Sequence, residues 1–396
     1  MTPRPRLLCV FYANPDNYPP TYSAVALLSQ HFDVHVVCRK TDRESRLWPA
    51  GVRLDRIGPS QTQDEAAARS HVEKAEEFAS FCWAVRRALN TTAPAVVLAY
   101  EAHALSALQV AGCRKPIVYQ RHEVEELDEV DRRSLGWWIH QHARQASRNV
   151  ALMVFPEATR ARYYQSHVPV RAEVLVVPNS PLASSFPVPE IDSLVELRRK
   201  APLVFYRGSL GPANGICEAV RAMSFVGPPT KLKLAGPASP AFQTELTTLV
   251  DELALGDRVS FDGFVPFDEL NRRTQYGSIG LMLYQAASTN WSNIASANNK
   301  LYEYAACGVP AIVPDREDFR DFLKGEEWIR YVDPTDPRAI GATIEDMLSD
   351  WSGYVQMCHM ARRRFEQRFN YEAVFGPMLE RILALAGSRP ETERAS

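Results

Sequence analysis

The feature that most constrains the fold of this chain is an alternation between short apolar runs and longer segments of helical periodicity. Short apolar runs suit strands that are buried on both faces of a parallel sheet, and the helical segments between them suit crossover connections. The alternation therefore predicts a doubly wound α/β architecture. In the first half the candidate strands are Leu7–Tyr12, Val34–Val37, Ala95–Tyr100, Ile117–Gln120, Leu152–Phe155 and Val174–Val177, with a long helical segment at Glu65–Leu89.

The alternation stops once and then restarts, which predicts two domains. Residues 178–189 concentrate proline and serine without periodicity, as expected for a linker, and 396 residues exceed one ordinary core. We expect Rossmann-like domains over residues 1–182 and 183–369, a helix over 370–386 and a flexible tail over 387–396. The second set of strands is predicted at Leu203–Tyr206, Leu232–Ala235, Val259–Phe261, Ile279–Leu283, Ala311–Val313 and Trp328–Val332, with helices at Trp351–Phe369 and Tyr371–Ala386.

Composition and missing motifs exclude several classes of protein. A formal net charge of −2 and the lack of a long basic cluster make nucleic acid an unexpected partner. The seven cysteines are scattered, without zinc spacing, which favours a reducing cytoplasm over a disulfide framework or a structural metal. No apolar run is long enough to span a membrane. The sequence lacks the motifs of P-loop kinases, Rossmann dehydrogenases, zincins and serine hydrolases, so these classes are not expected.

Two doubly wound domains joined by one linker predict a central cleft that both domains face. Ligands of open α/β sheets bind beyond the carboxyl ends of the strands, so the cleft is the expected functional site. The fold alone does not name a reaction. The chemistry must therefore be read from the loops at those strand ends.

The strongest motif is residues 298–310, NNKLYEYAACGVP. It resembles the pattern P-N-K-L-x-E-Y-x-A-x-G-x-P of GT-B glycosyltransferases of family 4, the retaining, group 1 type. A helix that begins near Lys300 would offer free N–H groups and a positive dipole end to an anion. The resemblance implies that Lys300 and the helix start near Leu301 meet the diphosphate of a nucleoside-diphosphate sugar, that Asn298 and Asn299 line the donor site, and that Glu303 turns toward the ribose. The alternative for Glu303 is an exposed first-turn carboxylate that stabilises the helix dipole.

One part of the family pattern is broken in the loop before this helix. The earlier glutamate of the family falls at Ala295, so the acidic group that often reaches the donor sugar is missing. The sugar must then be held by other atoms of the Trp291–Asn299 loop. Trp291 is a candidate for stacking on a sugar ring.

A second motif, FYRGSL at residues 205–210, runs from a strand into a glycine turn. It resembles the opening of the family's nucleotide domain, G-R-L followed by K-G, and implies that Gly208 and Ser209 line the donor site. This chain has Ser209 and Asn214 where the family has cations. Because each lost charge-assisted hydrogen bond is worth about 1.5–3 kcal/mol, we expect Arg207 and Lys300 to replace them. A surface charge at a strand end is the alternative for Arg207.

Two smaller pieces of the second half agree with the resemblance. Gly236 follows a strand in LAG, and Phe264 follows a glycine in FDGFVP. The resemblance implies that Gly236 lines the donor site and that Phe264 and Val265 border the nucleotide base. A simple core role for the latter two is the alternative.

In the first half, VYQRHE at residues 118–123 is similar to the D-x-H-E stretch of some family members. The resemblance implies that His122 faces the cleft near the donor sugar, with hydrogen bonding favoured over acid–base work. A partly buried capping histidine is the alternative. For the acidic residues that follow, up to Asp128, there are two expectations: contact with a polar or cationic acceptor, or a solvent-exposed face.

Three further segments carry weaker expectations. Residues 16–23 and 101–105 are candidate acceptor-side loops. Trp137 and Trp138 suit an interfacial helix that touches lipid, but a core position is favoured, so membrane contact is a possibility that we do not favour. The helix at Tyr371–Ala386 resembles the family's final helix, which crosses back to the first domain.

These observations predict a metal-independent glycosyltransferase that moves a sugar from a nucleotide-sugar donor to a small-molecule or saccharide acceptor. Retention of configuration is implied by the resemblance. His122, Arg207 and Lys300 are the candidate catalytic residues, no cofactor beyond the donor substrate is expected, and no D-x-D metal motif of the other large glycosyltransferase fold is present. Two alternatives stay open: transfer of a sugar-like group to a sulfur or nitrogen acceptor, and a catalytically silent accessory protein that binds a nucleotide or a partner glycosyltransferase.

Overall fold

The structure is a computed structural model that describes residues 4–40, 47–60, 65, 68–124 and 131–387. The chain divides into two compact units. Unit 1 comprises Met1–Asn179 and Val374–Ser396, and unit 2 comprises Ser180–Ala373. None of the helices within the described ranges is long and apolar enough to cross a membrane.

Unit 1 contains a parallel sheet in the order β3-β2-β1-β4-β5-β6-β7. The central strands are apolar on both faces and buried on both, which is the pattern that a doubly wound sheet requires. The strands are β1 (Arg6–Phe11), β2 (Asp33–Arg39), β3 (Arg53–Ile57), β4 (Val96–Tyr100), β5 (Ile117–Gln120), β6 (Leu152–Phe155) and β7 (Glu173–Val176). The helices are α1 (Pro19–Leu28), α2 (His71–Thr92), α3 (Glu101–Val110), α4 (Leu135–Ala146) and α5 (Ala158–His167).

Unit 2 contains a second parallel sheet in the order β10-β9-β8-β11-β12-β13. The strand order reverses between β8 and β11, and this switch point is where ligands of such sheets bind. The strands are β8 (Leu203–Arg207), β9 (Lys231–Ala235), β10 (Val259–Gly263), β11 (Ile279–Leu281), β12 (Ala311–Pro314) and β13 (Ile329–Val332). The helices are α6 (Ile191–Lys200), α7 (Ile216–Ala222), α8 (Pro240–Glu252), α9 (Phe267–Thr274), α10 (Thr289–Ser292), α11 (Lys300–Ala306), α12 (Glu317–Phe322), α13 (Pro337–Ser349) and α14 (Trp351–Arg364). A last helix, α15 (Tyr371–Leu385), begins in unit 2 and belongs to unit 1 from Val374 onward.

The prediction of two doubly wound sheets is confirmed, and the predicted strands agree closely with the observed ones. The sequence missed β3, an edge strand whose residues Arg53, Asp55 and Arg56 leave no apolar run to recognise. The helix predicted from Glu65 begins as α2 at His71. Ser70 and Glu73 form a capping box there, a start signal that the sequence carries.

The expectation of a core position is wrong for Trp138, whereas Trp137 is half-buried. The buried face of α4 is made by Ile139 and Ala143, which lie one helical turn apart. Trp138 is 45% exposed and stacks on His142 at a ring distance of 5.0 Å. Its position one residue from Ile139 turns it away from the face that packs.

The chain passes from unit 1 to unit 2 after Asn179, close to the predicted linker, and returns within α15. The first residue of α15 is tied to unit 2, because the Tyr371 N–H donates to the Pro181 carbonyl at 2.8 Å. Farther along the helix, Arg381 pairs with Glu173 of unit 1 at 2.8 Å. Residues 388–396 of the predicted tail lie outside the described residues.

A substitution in β11 tests how closely α11 packs beneath the switch point. A Cβ at Gly280 would lie 2.5 Å from the ring of Tyr304, a buried residue of α11. We expect Gly280→Ala to lower the free energy of unfolding by about 1–3 kcal/mol through overpacking. Denaturant unfolding measures this change. Gly256→Ala is the control, since nothing lies within 4 Å of its added carbon, and equal effects of the two would contradict the packing argument.

Candidate donor site and candidate histidine site

The predicted donor-site residues of unit 2 follow the carboxyl ends of neighbouring strands. Gly208 follows β8, Gly236 follows β9 and Phe264 follows β10. The loop after β11 leads into Lys300 at the start of α11. Because all strands of the sheet are parallel, these loops lie on one edge, which we call the carboxyl edge.

Gly208 and Gly236 bring two of these turns into direct contact. The Gly208 N–H donates to the Ala235 carbonyl at 2.9 Å, and the Leu210 N–H donates to the Pro237 carbonyl at 2.8 Å. Gly208 has φ +105°, a region that favours glycine. A Cβ on Gly236 would lie only 1.9 Å from the Gly208 carbonyl oxygen, so this position requires glycine.

Ser209 lies at the tip of the turn with its carbonyl firmly held. That carbonyl accepts from the Tyr206 hydroxyl at 2.8 Å and from the Asn214 amide at 2.7 Å. The Ser209 N–H makes no hydrogen bond within the described part of the chain. Asn214, which stands where the family has a cation, therefore braces the turn, and the turn presents a free backbone donor.

Lys300 places its ammonium group beside the Gly208 turn. Its Nζ donates to the Tyr284 hydroxyl at 2.7 Å and lies 5.2 Å and 5.0 Å from the ring centres of Tyr206 and Tyr284. A Cβ built on Gly208 would lie 3.1 Å from Nζ. The cation is thus held between two aromatic rings and faces a turn that carries an available N–H.

Burial lowers the pKa of Lys300 to about 8. The neighbouring carboxylate of Glu303 opposes this effect, and the guanidinium of Arg207 adds to it. Loss of hydration is the main cause, since it penalises the charged form of the amine. An anion that binds at Nζ would restore favourable interactions to the ammonium form and raise its pKa again.

Arg207 does not have the role that the sequence suggested. It is 2% exposed, its Nε pairs with Glu303 at 2.7 Å, and its two terminal nitrogens donate to Thr274 and Asn271, each at 2.9 Å. The guanidinium of Arg207 bonds to side chains within unit 2. Arg207 is therefore neither a diphosphate ligand nor a surface charge. The sequence could not show that this strand-end cation points inward.

Glu303 is buried against Arg207, with 4% of its surface exposed. The alternative of an exposed carboxylate that stabilises the helix dipole is therefore wrong. Its predicted contact with a ribose stays a prediction.

Asn298 and Leu301 are used inside the protein. The Asn298 side chain accepts from the Leu301 N–H at 3.0 Å and donates to the carbonyls of Ala295 and Ile294 at 2.7 Å and 3.2 Å. Asn298 therefore caps α11 and fixes the preceding loop, and the side chain of Asn298 and the N–H of Leu301 bond within the protein rather than to a donor. The side-chain oxygen of Asn299 has no hydrogen-bond partner in the described chain, and as an acceptor it suits a sugar hydroxyl.

Sequence reasoning missed Arg316, which fixes the loop between β11 and α11. Its terminal nitrogens donate to the Tyr284 carbonyl at 3.3 Å and the Trp291 carbonyl at 3.0 Å, and it also pairs with Asp318 at 2.8 Å. The Trp291 ring packs on Tyr284 at 5.3 Å. The only available signal was an arginine just after a predicted strand, which is too common to select.

Phe264 and Val265 separate on the two sides of the loop after β10. Val265 is 8% exposed and joins the core, as the alternative reading allowed, whereas Phe264 is 64% exposed. Gly263, with φ +62°, makes the turn that exposes Phe264. Phe264 is thus the one of the two placed to meet a nucleotide base.

In unit 1, His122 follows β5 and is buried, with 6% of its surface exposed. Its Nε2 lies 3.3 Å from the Thr21 hydroxyl, and its side chain also hydrogen-bonds to Asn179. The Tyr100 ring lies parallel to it at 6.0 Å. Thr21 lies in α1, which begins at Pro19, so the predicted acceptor-side loop over residues 16–23 is largely helical, and its helical part contacts His122. The prediction of a second such loop over residues 101–105 is wrong, because these residues begin α3.

The pKa of His122 is lowered to about 4, mainly by burial and further by the cations of Arg160 and Arg121, while the hydrogen bond to Asn179 raises it. The ring is therefore neutral at physiological pH. A neutral, doubly hydrogen-bonded imidazole suits hydrogen bonding to a ligand better than proton transfer. Of the acidic residues after it, Glu123 is exposed, and residues 125–130 lie outside the described chain.

Among the described residues, no group of three or more histidines, cysteines or carboxylates is arranged to hold a metal ion.

Comparisons with known proteins agree with this architecture. Residues 215–380 match the family model described as glycosyl transferase-like. The sucrose-phosphate synthase of Thermosynechococcus elongatus is 18% identical with a TM-score of 0.75, covering 96% of this chain and 99% of that one. HepE of Anabaena in complex with UDP is 14% identical with a TM-score of 0.70, covering 96% and 100%. WaaG, a glycosyltransferase involved in lipopolysaccharide biosynthesis, is 12% identical with a TM-score of 0.66, covering 95% and 99%. No curated protein sequence matches significantly.

The two sheets and these structural neighbours define the fold as GT-B. The match to the glycosyl transferase-like model falls mostly within unit 2. The resemblance to the group 1 type that the sequence predicted is thereby confirmed.

The buried ion pair of Arg207 generates a stability prediction. We expect Arg207→Met to lower the free energy of unfolding by about 3–5 kcal/mol, because it leaves the Glu303 carboxylate buried without its partner. Arg272→Met is the control, since Arg272 pairs with Glu269 at the surface with 69% of its side chain exposed, and we expect little change. Urea unfolding of both variants measures the difference, and similar small effects would show that Glu303 does not depend on Arg207.

Proposed function

We propose that unit 2 binds a nucleoside-diphosphate sugar, with Lys300 and the Ser209 N–H as the ligands of its diphosphate. The observation that carries this proposal is the ammonium of Lys300, which is desolvated between two tyrosine rings beside the Gly208 turn. A buried cation next to a free backbone N–H is suited to an anion. In this proposal Glu303 contacts the ribose, Phe264 contacts the base and Asn299 contacts the donor sugar.

A uridine donor is the first choice within this proposal. The structural neighbour HepE is known in complex with UDP and with UDP-glucose. The loop of Trp291 supplies an aromatic ring and backbone groups for the sugar, and Ala295 contributes no carboxylate.

The reaction that we propose transfers the sugar with retention of configuration to an acceptor bound by unit 1, a small molecule or a saccharide. The bond between the anomeric carbon and the diphosphate oxygen breaks as the acceptor oxygen bonds to the same face of that carbon. The acceptor proton passes to the departing phosphate oxygen, so no protein base is needed. Lys300 and the Ser209 N–H stabilise the developing charge in place of a metal ion.

We further propose a cytoplasmic location, which the scattered spacing of the seven cysteines in the sequence supports. No cofactor beyond the donor substrate enters the proposed reaction.

A catalytically silent nucleotide-binding protein is the second candidate. It is favoured by the internal use of Arg207, because only one of the two expected replacement cations, Lys300, then faces the turn. Such a protein would bind the nucleotide but would not release it from a nucleotide sugar.

The first experiment is a thermal-shift screen against UDP, GDP, ADP and TDP and their common sugars, with and without magnesium. A ligand that binds only the folded state raises the melting temperature. We expect a shift with one nucleotide family that does not need metal, followed by slow release of UDP from UDP-glucose. Binding without release would support the silent protein, and no shift with any nucleotide would refute the donor site.

The role of Lys300 predicts a specific loss of affinity. Removing one charge-assisted hydrogen bond costs about 1.5–3 kcal/mol, so Lys300→Met should weaken UDP binding roughly 10- to 100-fold in calorimetric titration. Lys231→Met is the matched control, because Lys231 is exposed at the amino end of β9, at the opposite end of the strand from Gly236. Equal affinities of the two variants would remove Lys300 from the site.

The lowered pKa of Lys300 predicts how binding depends on pH. A diphosphate binds the ammonium form, so binding raises the pKa, and affinity is full below about 8 and falls as the pH rises above it. We expect the Kd of UDP to increase by up to about tenfold per pH unit between roughly pH 8 and 9.5. The same titration of Lys300→Met should be flat over this range. A pH dependence that survives in this variant would assign the effect to another group.

A further inference from the structure

Glu101 has a backbone conformation that its residue type disfavours. It is the first residue of α3, directly after β4, and its φ is +66°. Left-handed backbone costs energy for residues other than glycine and, to a smaller degree, asparagine and aspartate. Such residues persist where the surroundings hold them, and they concentrate at functional sites.

The side chain of Glu101 contacts the main chain of His122. One carboxylate oxygen accepts from the His122 N–H at 2.6 Å, and the other lies 3.3 Å from the Arg121 Nε. The strand ladder ends just before this point, where the Arg121 N–H donates to the Val154 carbonyl. The carboxylate of Glu101 therefore binds the main chain at His122, directly after the last hydrogen bond of the strand ladder.

The carbonyl of His122 is held from another element. Arg160 of α5 is 4% exposed, and one of its terminal nitrogens donates to the His122 carbonyl oxygen. Both main-chain groups of His122 are thus bound by charged side chains that come from different helices. Charge-assisted hydrogen bonds of this kind are the strong ones.

The ring of His122 then has a defined setting. Thr21 and Asn179 hydrogen-bond to it, and the rings of Tyr100 and Tyr18 lie 6.0 Å and 6.1 Å away. Arg160 and Arg121 act on the charge of His122, and Glu101 contacts its main chain. Small changes in the main chain would turn the ring out of this setting.

We propose that Glu101 is a positioning residue that, together with Arg160, fixes the main chain of His122 and so presents its neutral ring to the acceptor that unit 1 binds. This inference rests on the proposed function, in which unit 1 binds the acceptor. The left-handed backbone and the carboxylate that accepts from the His122 N–H belong to the same residue. The conformation aims the carboxylate at the His122 N–H.

The test uses a pair of matched substitutions. Glu101→Asn keeps a residue that tolerates left-handed backbone but shortens the side chain, so that it no longer reaches the His122 N–H. Ala93→Asn is the control: Ala93 is also left-handed, with φ +43°, and lies exposed at the end of α2 in the same unit. Both variants relax a strained residue, and only one releases His122.

The first measurement is an NMR titration of the His122 ring, with His122→Ala used to assign its signal. Removing the negative charge of Glu101 would by itself lower the pKa of His122 further, because a nearby anion favours the imidazolium form. Release of the ring to solvent would raise it toward the ordinary value of about 6.5. We expect a rise of at least one pH unit in Glu101→Asn and no change in Ala93→Asn. No rise in Glu101→Asn would overturn the proposal.

The second measurement is the release of UDP from UDP-glucose, together with UDP affinity and the melting temperature. We expect Glu101→Asn to lower the rate at least tenfold while UDP binding by unit 2 is unchanged, and Ala93→Asn to leave the rate unchanged. If Glu101→Asn does not fold, Glu101→Gln, which keeps the length and loses the charge, must show a smaller change of the same sign. A wild-type protein that binds UDP but releases none would count against the proposed transfer, and the NMR titration would still decide whether Glu101 fixes the ring.

Discussion

A buried ion pair between Arg207 and Glu303 is the interaction on which the rest of unit 2 depends. It joins the end of β8 to α11, and Thr274 and Asn271 of α9 complete the guanidinium's hydrogen bonds. Two strand-end turns and the helix that carries Lys300 are therefore fixed relative to one another. Such a pair contributes little net stability, but either member alone would be a costly buried charge. The pair thus acts mainly by specifying one arrangement.

In this arrangement the candidate donor site holds a cation whose desolvation costs free energy. The amine of Lys300 loses hydration between Tyr206 and Tyr284, and it regains only one hydrogen bond among the described residues. An incoming anion would supply what is missing. The site therefore favours an anion, because the ammonium of Lys300 lacks hydrogen-bond partners that an anion would supply. Arg316 maintains this environment by holding the loop that carries Tyr284. This is the usual meaning of preorganisation in a binding site.

The sequence predicted the sheets because their central strands are apolar on both faces, a pattern that few other structures produce. It missed β3 because an edge strand with charged residues has no such pattern. It placed Lys300, Gly208 and Gly236 correctly on the carboxyl edge because they follow strands. It could not tell that Arg207 points inward or that Asn298 caps its own loop, since both depend on side-chain direction. Strand position can be read from periodicity, but the partner of a polar side chain cannot.

The contact between Gly236 and the Gly208 carbonyl has a consequence for redesign of this protein. A single added carbon at residue 236 would overlap the neighbouring main chain, so the two turns cannot be varied by substitution without moving the sheet itself. In the segment between β11 and α11, residues 286–288 are exposed, whereas Tyr284 and Asn298 are buried. An engineer who wishes to change which donor is accepted would leave the glycine turns, Tyr284 and Asn298 alone and diversify residues 286–288.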